Sequence, residues 1–398
     1  MSGGVDSSLA ALLLKEKDYE VIGITLKLWD YSEVGGDQYK DGRCCSLESI
    51  SDARNVCHKI GAPHYVLDFT EEFKQKVISN FVDEYKRGRT PNPCILCNTE
   101  IKWKLLWNKA KELGAEYLAT GHYARIKYSE ENKRFLLLKG IDSRKDQSYA
   151  LWELSQENLS KTLFPLGELT KKETRELAKR YNLKTALKEE SQEICFVPDD
   201  DYSRFLQEWT FKSGEVIKPG PVYDLEKNRL GEHKGIPFYT IGQRRGLNIA
   251  FGKPMYVVKI DPEENAIYVG ENKDLFKTTF VVSQVNWISI PQLKSKLDCS
   301  AKIRYLHTPA KASISPFPEE VRRGQNSEVP QLVNFDLEME FNLEADACEE
   351  NARASSCTPE KVKVEFEKPE RAITPGQSAV FYAGDKIIGG GIIVSTEE

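Results

Sequence analysis

At 398 residues the chain exceeds the size at which a single hydrophobic core keeps growing, so two or three domains are expected. A composition of 40% apolar and 29% charged residues excludes the disordered and fibrous classes. The longest apolar runs, such as residues 9–14, are too short to span a bilayer, and no basic segment followed by an apolar stretch marks an export signal, so no membrane partner is expected and the cytosol is the expected compartment. The net charge of −5 argues mildly against a protein that grips nucleic acid by its overall field alone. That balance is local, because residues 336–350 carry seven acids and no Lys or Arg; without those seven charges the rest of the chain stands at +2. Nine cysteines are too few for a disulfide scaffold in a chain of this length, and read as buried thiols, metal ligands or catalytic groups.

The chain opens Met1-Ser2-Gly3-Gly4-Val5-Asp6-Ser7-Ser8 and runs directly into a segment of helical composition, residues 8–17. A β-branched run at 21–28 predicts a buried strand, 49–60 a helix, 64–67 a short strand, 71–85 and 99–113 two helices, and 117–120 another strand. This alternation predicts an α/β domain of Rossmann-like type, with a parallel sheet covered on both faces. Residues 168–181 form a helical charge pattern in which Thr170 caps and Glu173 completes a capping box. Beyond Asp199, glycines and prolines crowd residues 213–254, which predicts a small β-rich domain, and 256–269 reads as a hairpin. From about residue 280 strands dominate (FVVSQVNWISI, KVKVEF, AVFYAG, IIGGGIIVS) and predict a terminal antiparallel barrel or sandwich. Residues 309–357 read as a peripheral insertion, although 337–341 alternates like an exposed strand. The expected domains are therefore 1–204, 205–277 and 278–398.

Two glycines let the backbone of the opening segment approach a ligand closely, and serines with unpaired amides at a helix start form an anion-binding nest. The segment lacks the Gly-Lys-Ser/Thr ending of the Walker loop, so that class of NTPase is not indicated. Taken alone, the eight residues fit a Ser/Gly-rich terminus or a simple cap equally well. A loop of this kind ordinarily follows a buried strand, so either a strand lies upstream of Met1 or the sheet lacks a central strand, and the first is expected because the second would leave apolar neighbours unpaired. A second candidate is the proline-stiffened stretch Thr90-Pro91-Asn92-Pro93-Cys94-Ile95-Leu96-Cys97, which leads into a helix. Lys102 and Lys104, close in sequence, would favour the Cys97 thiolate. An isolated Cys-x-x-Cys reads as readily as a zinc or redox pair, yet no second such pair supplies the other two zinc ligands. Cys44 and Cys45 adjoin, which is awkward for joint ligation, and Cys57 reads as a core filler. Cys195, flanked by apolar residues, reads by itself as a buried strand cysteine.

The opening SGGVDS resembles the loop of PP-loop ATP pyrophosphatases, which split ATP between the α and β phosphates. Together with PNPCILCN at 91–98, EICF at 193–196, GIPFYTIGQRRGL at 235–247, AKIRYLH at 301–307 and PGQSAVFY at 375–382, the chain resembles the tRNA-specific 2-thiouridylase family over about residues 1–308 and 359–396. The resemblance implies ATP and Mg²⁺, tRNA as partner through its anticodon stem-loop, and a sulfur-relay protein or cysteine desulfurase as sulfur donor. It implies that ATP adenylates the C2 oxygen of the wobble uridine, U34, and that 2-thiouridine, AMP and pyrophosphate result. Met1, Ser2, Gly3, Gly4, Val5, Asp6, Ser7 and Ser8 would then hold ATP, with Asp6 organising the loop or a Mg²⁺ ion, Leu26 flanking the adenine, Gly121 touching the nucleotide and His122 lying in the cleft. Cys195 would carry a persulfide, and Cys97 would be the nucleophile that releases sulfur by forming a disulfide with Cys195. Asn92, Pro93 and Cys94 would lie beside the target base, and Lys145, Asp146, Gln147, Arg304 and Tyr305 would contact tRNA. Many family members have Asp where this chain has Cys94, so a [4Fe–4S] cluster on Cys94, Cys97 and Cys195 stands as an alternative to the persulfide. Two other readings compete: a synthetase on the same loop that adenylates a small molecule and accepts ammonia, and a non-catalytic RNA-binding protein.

Overall fold

A computed structural model describes residues 1–30, 46–188, 194–197, 199, 201–247, 249, 252–317 and 361–396. Its first element is the helix Val5–Glu16, which buries Val5, Leu9, Ala10, Leu12 and Leu14. Strands β1 (Gly23–Lys27) and β2 (His64–Asp68) pair in parallel, Gly23 opposite His64 through Lys27 opposite Asp68. The helix Leu47–Lys59 makes the crossover, burying Ala53, Val56 and Cys57. Cys57 is fully buried, as expected of a core filler, and desolvation raises its pKa. Residues 70–86 form one continuous helix with a π-helical stretch at Lys74–Ile78, and residues 93–112 form another whose middle, Cys97–Leu106, is π-helical. This second helix starts earlier than the sequence suggests, because Asn92 caps it and Pro93, whose fixed φ suits a first helical position, opens it.

Strand β3 (Leu118–Ala119) is followed by a hairpin, β4 (Ala124–Ser129) and β5 (Arg134–Lys139), and then by β6 (Thr162–Leu163), which pairs in parallel with β3. The helix Lys171–Arg180 carries the expected capping box: the Thr170 hydroxyl accepts from the Glu173 amide, and Glu173 accepts from the Thr170 amide at 2.7 Å. After the helix Tyr202–Lys212 come four strands, β7 (Gly220–Tyr223), β8 (Arg229–His233), β9 (Tyr256–Asp261) and β10 (Ala266–Gly270), in the order β8-β7-β10-β9. Val222, Val257, Ile267 and Val269 fill their core, and β9–β10 is the hairpin read from the sequence.

Six strands close the C-terminal barrel: β11 (Phe276–Trp287), β12 (Leu297–Lys302), β13 (Ala310–Pro316), β14 (Val362–Arg371), β15 (Ser378–Ala383) and β16 (Lys386–Ser395). They run β11-β14-β13-β12-β15-β16, and β16 returns to β11, so the ring leaves no open edge. The β4–β5 hairpin joins this sheet through Lys386 opposite Leu138. One expectation is corrected here: Ala310–Pro316, read as the start of an insertion, is a barrel strand that buries Ala312 and Ile314. Cys44, Cys45, residues 190–193 and the strand-like 337–341 lie outside the described residues. No helix among the described residues is long and apolar enough to cross a membrane.

The first domain and the barrel share one core. Trp103, Trp107, Leu137, Tyr149 and Trp152 pack in a single cluster with Ile288, Val380, Tyr382 and Ile387. Tyr149, Trp152 and Tyr382 are among the most deeply buried side chains, and burial of a side chain of this size contributes about 1.5–3 kcal/mol or more. The barrel is thereby fixed against the face of the first domain that carries the cysteine helix.

Candidate active site at the junction of three domains

The opening loop is built by close backbone packing. Gly3 has φ +68° and a Cβ on it would stand 2.2 Å from the Ser49 carbonyl oxygen, while a Cβ on Gly121 would stand 2.7–2.9 Å from Asp6 and the Ser7 amide nitrogen. The Ser2 amide donates to the Ser7 hydroxyl at 3.1 Å, the Ser2 and Ser7 hydroxyls are 3.2 Å apart, and the Ser8 hydroxyl donates to the Gly4 carbonyl at 2.8 Å. Met1 donates its terminal amine to the Ile24 carbonyl, Val5 is buried beneath the loop, and Leu26 is half-buried between two core clusters. Glycine at both close approaches, hydroxyls at the loop and a helix N-terminus suit a polyphosphate.

Asp6 is committed within the protein. Lys171 Nζ sits 2.7 and 2.8 Å from its two oxygens, and the Tyr123 hydroxyl donates to it at 2.8 Å. Lys171 is itself buried, and its amide donates to Asp142 Oδ2 at 3.0 Å. These partners tie Asp6 to the loop and to the helix that follows Thr170. Nearby, His122 Nδ1 and the Thr120 hydroxyl are 2.8 Å apart, with the ring between Trp103 and Phe164. Burial, and then the charge of Lys102, hold its pKa well below the ordinary value, so the ring is neutral near pH 7.

The cysteine helix presents two thiols in different settings. Asn92 Oδ1 accepts from the Cys94 amide at 3.1 Å, and Cys94 is exposed. Cys97 begins the π-helical stretch and, with Leu96 and Leu105, packs against a cluster built on Trp29, Phe73, Phe81, Phe196 and Phe205. Ile194 and Cys195 pack against the same cluster. Phe196 anchors that end of the chain, its ring 5.7 Å from Phe73, 5.2 Å from Phe81 and 5.3 Å from Phe205. The structure therefore brings Cys97 and Cys195 to one aromatic cluster although 97 residues separate them in sequence. Two expectations change. Lys104 pairs with Glu100 at 3.1 Å and Lys102 donates to Asn98 Oδ1 at 2.9 Å, so neither lysine is dedicated to Cys97. No three His, Cys, Asp or Glu side chains converge as a metal site among the described residues, so the alternative of a cluster on Cys94, Cys97 and Cys195 gains no support from them.

The loop before Cys94 is pinned from both other domains. The Thr90 amide donates to the Pro375 carbonyl and Gln377 Nε2 to the Thr90 carbonyl, each at 2.9 Å, while the Thr90 and Thr240 hydroxyls bond to one another. Asp146 is buried: Oδ1 accepts from the Gly140 and Ser148 amides and Oδ2 from the Ser148 hydroxyl at 3.0 Å. Gln147 Oε1 accepts from the Tyr123 amide at 3.0 Å. Asp146 and Gln147 thus brace the segment beside Lys145. Arg304 donates to the Arg371 carbonyl at 3.0 Å, and Tyr305 is 40% exposed.

Three family descriptions match the chain in order: a tRNA methyl transferase HUP domain over residues 1–199, a tRNA methyl transferase PRC-barrel domain over 205–271 and an aminomethyltransferase β-barrel domain over 328–393. Proteins named tRNA-specific 2-thiouridylase MnmA from Carboxydothermus hydrogenoformans and Clostridioides difficile are 46% and 45% identical to it, each match covering 99% of this chain and 96% of the relative. A further relative, tRNA-specific 2-thiouridylase MnmA 1 of Caldanaerobacter subterraneus subsp. tengcongensis, is 46% identical over the same shares. The chain belongs to the tRNA-specific 2-thiouridylase family. The architecture expected from the sequence is thereby established: an N-terminal HUP domain, a PRC-barrel domain and a closed C-terminal barrel. For this 2-thiouridylase family member, sequence reasoning missed Lys171, Tyr123, Thr240 and Gln377 as builders of the site. The available signal was Lys171 itself, a cation in the first turn of a helix, where the dipole favours acids.

Proposed function

We propose that this chain is an ATP-dependent tRNA 2-thiouridylase that adenylates the C2 oxygen of the wobble uridine, U34, and replaces that oxygen with sulfur. The observation that carries the reading is the convergence of Cys97 and Cys195 on one aromatic cluster, at the end of a loop held by all three domains. In this reading the loop formed by Ser2, Gly3, Gly4, Asp6, Ser7 and Ser8, with Gly121 against it, holds the phosphates of ATP, and Leu26 flanks the adenine. ATP supplies the leaving group: its α-phosphate joins C2–O, pyrophosphate departs, and AMP later leaves with the oxygen. Cys195 carries the incoming sulfur as a persulfide. The Cys97 thiolate attacks the Cys195 sulfur, hydrosulfide is released and displaces AMP at C2, and the two cysteines are left as a disulfide that an external thiol must reduce. Asn92, Pro93 and Cys94 lie beside the base, Lys145 and Tyr305 meet tRNA, Mg²⁺ accompanies ATP, and a persulfide-bearing relay protein or desulfurase supplies the sulfur.

Methyl transfer, which two of the family descriptions name, needs neither thiol. A synthetase accepting ammonia needs neither thiol as well. The test is nucleotide release: the protein incubated with ATP, Mg²⁺, a persulfide donor and an unmodified tRNA transcript should form AMP and pyrophosphate with U34 present and not with U34 replaced by cytidine. Equal AMP formation with both transcripts, or none with either, would contradict the proposal.

A further inference from the structure

Lys302, the last residue of β12, is half-buried on the seam between the barrel and the first domain. Its Nζ stands 5.5 Å from the ring centroid of Tyr149 and 5.4 Å from that of Tyr305. Among the described residues its ammonium makes no hydrogen bond or ion pair. The acid whose charge reaches it, Asp146, already accepts from two amides and a hydroxyl. A second cation, Lys139, lies over the Tyr382 ring at 4.5 Å and adds repulsion. Burial, against the attraction of Asp146 and with the repulsion of Lys139, leaves the Lys302 pKa lowered.

An ammonium has three donors and no acceptor, and removing it from water without a partner is costly. Two ring faces offset part of that cost and supply no acceptor oxygen. The position is rational if an anion arrives from solvent. Beside it, Tyr305 is 40% exposed and Leu306 89% exposed, a surface on which an unstacked base can lie. Arg304, the neighbouring cation, gives one of its donors to the Arg371 carbonyl. We infer that Lys302 is a residue through which the barrel takes a tRNA backbone phosphate, with Tyr305 stacking beside it. This rests on the reading of the chain as a tRNA 2-thiouridylase.

The test measures the dissociation constant of an unmodified tRNA transcript across a salt series for the wild type, Lys302→Met and Lys302→Arg, with thermal melting alongside. One lost phosphate contact reduces the salt slope by about 1, so Lys302→Met should bind about 5–10-fold more weakly near physiological salt with a shallower slope. Lys302→Arg, which keeps the charge and can stack on the tyrosines, should stay within about 2-fold of wild type. Lys302→Met should melt no lower than wild type, because it removes a buried cation. Wild-type affinity and slope in Lys302→Met, whether or not its melting temperature falls, would overturn the inference, as would an arginine variant as weak as the methionine one. A wild-type protein that binds no tRNA at all would instead remove the thiouridylase reading on which the inference stands.

Discussion

A buried lysine fixes the nucleotide loop. Lys171 neutralises Asp6 where phosphates are to bind, so the loop presents amides and hydroxyls without a net negative charge. Lys171→Met leaves Asp6 with the Tyr123 hydroxyl alone and adds an unpaired carboxylate to an anion site. The variant should raise KM for ATP at least about 10-fold and lose about 1–3 kcal/mol of stability, less than a fully buried pair would cost because the Asp6 side chain is 33% exposed. Denaturant unfolding and ATP titration check both numbers. Adding Asp6→Asn to Lys171→Met should restore much of the stability, and equal stabilities of single and double variants would show that the pair does not couple. At this scale the sequence exposed the loop residues, because Gly3, Gly4 and the serines act through their own backbone and hydroxyls. It concealed Lys171 and Tyr123, which reach Asp6 from 165 and 117 positions away.

The cysteine loop and the barrel loop act as one element. Gly376 has φ +90°, and a Cβ there would stand 2.8 Å from the Thr90 nitrogen and 3.0 Å from Arg89 Cβ. Gly376→Ala should therefore part the barrel loop from residues 89–91, with the barrel still closed by its β11–β16 pairing. We expect thiolation to fall by an order of magnitude or more, while the far-ultraviolet circular dichroism of the sheet is retained; an unchanged turnover would show that the loop does not need this support. Asn92→Ala removes the cap that accepts from the Cys94 amide and should cost about 1 kcal/mol, measured by denaturant midpoint. What was legible among the elements was local: the Thr170–Glu173 capping box and the β9–β10 hairpin are written in adjacent residues. The joining of the β4–β5 hairpin to the barrel sheet was not, since its partner Lys386 lies far along the chain. The π-helical stretch at Cys97–Leu106 has no composition signature, and the Pro and Ser content around β13 concealed a barrel strand.

The whole molecule gathers three domains around one loop, and its stability should carry the mark of desolvated histidines. His64, His122, His233 and His307 all have lowered pKa values, with desolvation the first cause in each. Because the unfolded chain binds protons on these rings near pH 6.5 while the folded chain resists them, stability present above pH 6.5 is lost as pH falls below it toward the folded values. Glu153, whose pKa burial raises, contributes with the opposite sign, one group against four. The melting temperature should therefore fall between about pH 7.5 and 5.5, and a flat profile there would mean that the rings are not desolvated in solution. The three-domain order was legible because strand alternation, glycine-rich turns and terminal strands each fill a separate stretch of chain. The shared core of the first domain and the barrel was not, since Tyr149 and Tyr382 carry no sign of one another in sequence.

The central claim, that two distant cysteines on one aromatic cluster move sulfur onto tRNA, is tested most directly by nucleoside mass spectrometry. An unmodified tRNA transcript is incubated anaerobically with the protein, ATP, Mg²⁺ and a persulfide donor, and the digest is compared for wild type, Cys97→Ser and Cys195→Ser. The account predicts 2-thiouridine from the wild type alone; 2-thiouridine at wild-type yield from Cys195→Ser, or none from the wild type, would contradict it.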